Sequence, residues 1–458
     1  MGNTAWEKYD DAQLGMVEIA ARHYKEFLDA GKTERECVRE AIRMAELADY
    51  VNLQDVLDGK VPMQPKVYAV MMDKSIALFH LGNAPLEQGM QIVAAHVDSP
   101  RLDLKQHPLY EETGMAYMDT HYYGGIKKYQ WVTLPLAIHG VVIRKDGTKL
   151  DIVIGEHEDD PVIGVTDLLV HLAGEQLEKT GSKVIEGEAL DLLVGNQPLK
   201  NEEKDAVKAN VLKLLHQKYG IEEEDFISAE LEVVPAGKAR DFGLDRSMVM
   251  AYGHDDRVCA FAGLSAFFGV RHPERTVCCL LVDKEEIGSV GATGMKSRFF
   301  ENTVAELMEL TEGYSELKLR RCLSKSKMLS TDVSSAFDPS YAHAFDKRNV
   351  AYLGGGMVMK KFTGSRGKSG ANDANAEYIG ALRNVMDDAN VTWQTAELGK
   401  VDYGGGGTIS YIAARYGMEV IDCGVPVLNM HAPWEIISKA DLYEAVKGYR
   451  AFLNMKVR

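Results

Sequence analysis

The chain has 458 residues, of which 46% are hydrophobic, 52 are Lys or Arg and 68 are Asp or Glu, for a net charge of −16. That length allows roughly two to three domains with sizeable cores. The acidic balance excludes nucleic acid or an anionic membrane surface as partner, because either would demand a basic face. Cys37, Cys259, Cys278, Cys279, Cys322 and Cys423 show no CxxC spacing and are expected to be reduced, buried thiols. The opening "MGNTAWEKYDD" has no apolar signal core, and no apolar run reaches membrane-spanning length. The expectation is a soluble, cytoplasmic protein.

In chain order, the first 50 residues read as helices. Leu14, Val17, Ala21, Tyr24 and Leu28 share one face, and Thr33 with Glu36 makes a capping box for a second helix. Strand-like runs follow from about residue 66: "VYAVMM", "IALF" and "QIVAAHVD". Residues 130–154 carry short strands and an Asp146-Gly147 hairpin turn. In the charged stretch after residue 200, Val207, Val211, Leu214 and Leu215 mark one amphipathic helix. From about residue 246 strands alternate with helices: "SMVMAYG" before a helix from Arg257 to about Val270, then "RTVCCLLVD". Further on come a helix with Tyr378, Leu382 and Val385 on its buried side, and "GGGGTISYIAARYG" as a glycine turn opening another. The predicted fold class is α/β, a mostly parallel sheet with helices on both faces, interrupted by an inserted β-rich domain. The boundaries read as 1–104 plus 241–458 for the host and 105–240 for the insert.

In open α/β sheets, ligands sit beyond the carboxyl ends of the strands. Five apolar runs end in polar, metal-competent residues: "QIVAA" in His96 and Asp98, "MVMAYG" in His254, Asp255 and Asp256, "CCLLV" in Asp283–Glu286, "KMLS" in Asp332, and "VPVLNM" in His431. All five are expected at one edge of one sheet. Packing does not require such a pattern, since ionised side chains are rarely buried unless paired or metal-bound. A mixed nitrogen and oxygen donor set without thiolates suits a catalytic zinc, manganese or cobalt site rather than a structural zinc. The adjacent glutamates then divide the work: one carboxylate binds metal, and its neighbour is general base to a water. Asp98 is placed to accept the second ring N–H of His96.

"AAHVDSPRLDLK", "GHDDRV", "DKEEIGS", "LSTDVSSAFDPSY", "TGSRGKSGANDANAEY" and "NMHAPWE" occur in the order seen in aspartyl aminopeptidase-like metallopeptidases, and the chain resembles that family from residue 96 to 434. The resemblance implies two divalent metal ions per subunit, zinc first, with cobalt or manganese as alternatives. It implies Asp255 as the bridging ligand, His96 and Asp332 on one metal, and Glu286 and His431 on the other. Glu285 would be the general base and Asp98 the carboxylate behind His96. The resemblance further implies peptide substrates with a free N-terminus and an insert that serves as a dimerisation domain. It implies a homo-oligomer, a tetrahedral dodecamer built from dimers. His171, with His121 as alternative, would reach a neighbouring subunit's site and support the oxyanion.

Lys360, Lys361, Arg366 and Lys368 form a basic stretch in an acidic chain; the resemblance implies that this segment lines the pocket for the substrate's N-terminal residue, with Lys361 expected to pair with an acidic side chain there. "GSRGKS" does not complete a phosphate loop, because Phe362 stands where a glycine is required. The readings in competition are an aminopeptidase preferring acidic residues, a related enzyme preferring neutral ones, and a non-catalytic, metal-stabilised assembly protein. The intact Glu285 argues against the last, since a purely structural site needs no base.

Overall fold

The computed structural model describes residues 4–456, which divide into two compact units. The first comprises the chain up to Asp98, Ala239–Met430 and the part from Glu435 onward; the second is Ser99–Lys238 with His431–Trp434. The expected cut at residue 105 would fall inside a continuous strand, Arg101–Glu112.

The first unit is built on a nine-stranded sheet. Its centre is four neighbouring parallel strands: Val277–Val282, Gln91–His96, Lys327–Ser330 and Glu419–Gly424. Antiparallel strands flank this core, Ser75–His80 beside Val277–Val282 and Met357–Lys360 beside Glu419–Gly424. All six residues of Val277–Val282 are buried, which explains a run with no polar alternation. Val277, Cys279 and Leu281 point into one core, whereas Cys278, Leu280 and Val282 point into the other. Helices Asp11–Ala30, Glu34–Leu47, His254–Phe268, Ala376–Asp388 and Lys439–Leu453 close the first face; Phe299–Glu312, Glu316–Lys325 and Ser410–Ala414 close the second. Each fully buried Leu, Val or Phe in these layers contributes about 1.5–3 kcal/mol.

Local sequence accounts for several boundaries. Thr33 Oγ1 accepts from Glu36 N at 3.2 Å while the Glu36 carboxylate accepts from Thr33 N at 3.1 Å, a reciprocal cap that starts Glu34–Leu47. In Asp11–Ala30 the stripe from Val17 to Leu28 is buried, but Leu14 is exposed, because the helix's first turns lie beyond the core's edge. Met386 rather than Val385 completes the buried side of Ala376–Asp388.

One expectation is corrected by the sheet topology. "MVMA" and "PVL" do not join the large sheet. Met248–Ala251 and Pro426–Leu428 belong to a second, five-stranded sheet with Arg240–Phe242, Glu435–Ser438 and Ser334–Ser335. Short apolar runs look alike in sequence, and sheet membership is decided by the partner each finds: here Met248–Ala251 pairs antiparallel with Glu435–Ser438.

The second unit holds a seven-stranded sheet in which every neighbouring pair is antiparallel. Lys149–Ile154 and Leu136–Ile143 form the expected hairpin, whose turn is closed by Gly147 N donating to Arg144 O at 2.9 Å. Its long helix, Ala206–Tyr219, buries Val207 and Val211 and leaves Leu214 exposed. Among the described residues no helix is long and apolar enough to cross a membrane.

Candidate metal centre

Strand register brings the site together. Val282 lies opposite His96, and Ser330 lies opposite Ala94, so Asp332, two residues beyond Ser330, reaches the level of His96 from the other side. Pairing continues past the strand ends: Val97 N donates to Val282 O at 2.9 Å, and Thr331 N donates to Ala94 O at 2.7 Å. The Gln91–His96 strand therefore sits between the strands that deliver the glutamates and Asp332. A crevice at such a point is the usual ligand position of an open parallel sheet. Asp255 comes from the other sheet's side, in the first turn after Met248–Ala251, with its N–H donating to Glu435 Oε2 at 3.0 Å.

The donor atoms of His96, Asp255 and Asp332 lie within 4.8 Å of one another, as do those of His96, Glu285 and Glu286. His96 Nε2 is 3.2 Å from Asp255 Oδ1 and 3.9 Å from Glu285 Oε2. Its Nδ1 makes its shorter contact with the backbone oxygen of Asp98, at 3.0 Å, and lies 3.4 Å from that residue's Oδ1. The expected Asp98 carboxylate contact is thus joined by a backbone one. The carboxylate itself is taken up by the glutamate turn, accepting from Glu285 N at 3.1 Å and Glu286 N at 3.2 Å. Lys284 opens that turn at φ 71° and Gly288 closes it at φ 97°.

Electrostatics mark this cluster as a cation site. Burial, reinforced by Asp332, Asp255 and Asp98 and opposed by His96, pushes the Glu285 carboxyl up to about 8. Burial also lifts Asp332 to about 6, with Lys360 opposing and Asp255 adding. Asp256, fully buried beside them, is raised well above the carboxylate range by burial first, with Asp332 and Asp255 adding and His96 opposing. For His96 burial opposes the charged form, but the Asp255 and Asp98 contacts with the Glu285 charge outweigh it and hold the imidazole well above its ordinary value. Carboxylates that force protons on one another are stabilised as anions when a divalent cation lies between them. Burial holds the Cys259 thiol well above its ordinary value, so it adds no thiolate. The set fits a hard or borderline divalent ion such as zinc.

Three buried residues support the cluster: Asp422 escaped the sequence reading, Lys360 was read only as part of a basic stretch, and Asp256 only as one of several strand-end carboxylates. Lys360 is buried, and its Nζ donates to Val333 O at 2.9 Å and Asp332 O at 3.3 Å. Burial works against its charge, yet Asp332 and Asp422 hold the ammonium above its usual range. Asp422 is buried inside the Glu419–Gly424 strand and accepts from Thr408 Oγ1 at 2.5 Å. Asp256 completes the group. The signal was a charge inside an apolar run, at "MVMK" and "VIDCG".

Lys361 is exposed, one residue past Lys360. His254 is a core residue: its Nε2–H donates to Val249 O at 3.0 Å, and its Nδ1 faces the Tyr24 hydroxyl at 2.6 Å. His431 groups with the second unit, its Nδ1 at 2.8 Å from Gly125 O. His171 is exposed in the short turn Val170–Leu172, and His121 is exposed with Nδ1 at 2.8 Å from Tyr122 O.

Comparison with known proteins agrees with this chemistry. The profile of the aminopeptidase I zinc metalloprotease (M18) family matches residues 27–453. A probable M18 family aminopeptidase 1 of Clostridium acetobutylicum is 60% identical over 453 residues, covering 98% of this chain and 97% of that one. The crystal structure of the M18 aminopeptidase of Thermotoga maritima superposes with a TM-score of 0.94 at 43% identity, covering 99% of each chain. The yeast mApe1 dodecamer, at 20% identity, covers 96% of this chain and 97% of its own with a TM-score of 0.77, a likeness of fold alone. The chain belongs to the M18 family of zinc metalloproteases and is a metal-dependent aminopeptidase.

Proposed function

We propose that the enzyme removes acidic residues from the N-termini of peptides, using two divalent ions. In this reading Asp255 is shared, His96 and Asp332 complete one ion's ligands, and Glu286 and His431 complete the other's. With Nδ1 of His431 directed at Gly125 O, its Nε2 would carry the metal. When bound, the ions supply Lewis acidity toward the scissile carbonyl and lower the pKa of water. Glu285 takes the proton of the attacking water and passes it to the departing amine. The observation that carries this reading is the Glu285 carboxylate itself, grouped with the donor atoms of His96 and Glu286 and 3.9 Å from His96 Nε2, next to the ligands without being needed as one. Asp98 fixes both glutamates through their backbone N–H groups. His171, exposed on its turn, is proposed to support the oxyanion in a neighbouring subunit of a dodecamer, the assembly recorded for yeast mApe1. The unit of Ser99–Lys238 with His431–Trp434 is proposed as the dimerisation domain, and the other unit as the catalytic one.

Lys361 is proposed to pair with the acidic side chain of the substrate. A specific observation keeps the neutral reading in play: two cations of the same stretch are already engaged, Lys360 on backbone carbonyls and Lys368 on Asp373 at 2.9 Å. The test is hydrolysis of Asp-, Glu- and Leu-anilides by chelator-stripped protein after zinc, manganese or cobalt is restored. Asp and Glu ahead of Leu supports the acidic preference. Leu ahead keeps the chemistry and removes Lys361 from its role. Mass photometry of the restored enzyme checks the dodecamer.

A further inference from the structure

On the face of the first unit away from the Asp11–Ala30 layer, three elements converge on a groove of about 590 Å³. The loop before helix Phe299–Glu312 brings Lys296 and Arg298, helix Glu316–Lys325 brings Arg320 and Arg321, and the end of Ser410–Ala414 brings Arg415. Glu301 is the one carboxylate in the lining. Five cations against one anion is a sharp local reversal in a chain of net charge −16.

Three of the five cations have a carboxylate partner among the described residues, and Lys296 and Arg415 have none. Arg298 reaches Glu301 at 3.3 Å. Arg320 and Arg321 are paired from outside the groove, by Glu316 at 2.5 Å and Glu87 at 2.8 Å. Lys296 Nζ donates only to a backbone oxygen, that of Gly288, at 2.9 Å. Arg415 has no carboxylate partner among the described residues. The positive end of helix Phe299–Glu312, where Ser297 Oγ accepts from Phe299 N at 3.3 Å, adds to the same field. The floor of buried Leu323, Ile412 and Met295 is apolar, which strengthens charge interactions above it.

We propose that this groove binds a small, multiply charged phosphate ligand, a di- or triphosphate in class. Guanidinium groups hold phosphate oxygens in pairs, and four of them on three separate elements suit several phosphates better than one. The volume fits a nucleotide-sized molecule.

The test is calorimetric titration of the metal-loaded enzyme at about 0.15 M salt. The probes are tripolyphosphate, orthophosphate and a hexaglutamate peptide, each against wild type and the double variant Arg298→Ala/Arg415→Ala. The expected result is saturable tripolyphosphate binding in the micromolar range, with orthophosphate weaker by about tenfold or more. The double variant should lose about tenfold in tripolyphosphate affinity while its anilide turnover, metal content and melting temperature stay unchanged. Absence of saturable binding below millimolar concentration overturns the proposal. Equal binding by both proteins does too, since it places the anion on the metal centre. Hexaglutamate binding as tightly as tripolyphosphate overturns the ligand class and makes the groove a surface for acidic peptides.

Discussion

Asp98 works with two parts of itself. Its backbone oxygen receives the Nδ1 side of His96, while its carboxylate receives the N–H groups of Glu285 and Glu286. The orientation of the His96 ring and the position of Glu285, the proposed base, are therefore tied to one residue, as expected where a second layer orients metal ligands. Glu285→Gln keeps the shape of the turn and removes the proposed proton acceptor. It should lower turnover by about 10²–10⁴-fold with metal content unchanged, and near-normal turnover would remove Glu285 from its role. The raised carboxyl values also set a pH dependence for stripped protein. Glu285 at about 8 against an ordinary 4.5, and Asp332 at about 6 against 3.8, hold protons in the folded state that the unfolded chain has already released. Stability must then fall as pH rises from about 4 to 8. Thermal melts of chelated protein should drop by several degrees across that window, and restored zinc should reverse the slope, because it binds deprotonated donors. A flat profile in chelated protein would contradict the repulsion described here. At this scale the residues that end apolar runs could be read from the sequence. Lys360 and Asp422 could not, since a charge within a run is meaningful only once its buried partner is known.

At the scale of the element, the parallel core and its register turn separate sequence positions into one crevice. The apolar runs, the Thr33–Glu36 capping box and the two helical layers were legible, because each rests on a pattern within a short window. The division into two sheets was not, because it depends on partners almost two hundred residues apart, as with Met248–Ala251 and Glu435–Ser438. One glycine shows how closely the strand ends fit. A Cβ on Gly424 would meet Asp332 O at 1.9 Å, so Gly424→Ala must push the Asp332 segment away. The variant should fold with a loss of about 1–3 kcal/mol in denaturant unfolding. It should also bind metal with lower stoichiometry by elemental analysis. Full metal content would mean the segment shifts without moving the Asp332 carboxylate.

At the scale of the whole molecule, the acidic surplus and the insert were both visible in composition and pattern. The boundary was blurred because the insert begins at Ser99, immediately before the strand Arg101–Glu112, where no glycine- or proline-rich linker marks it. Nor could the sequence reveal that His431–Trp434 belong with it. The insert thus owns three places in the chain: an entry after Asp98, an exit before Ala239, and a remote tetrapeptide. Replacing 99–238 by a short Gly/Ser linker should give a lower melting temperature than the same deletion with 431–434 also replaced. Equal melting would mean the tetrapeptide is self-sufficient. A module with only two seams can be acquired or discarded in a single genetic event. This one carries a third seam far downstream, so transplanting it whole takes a second, separate edit at 431–434.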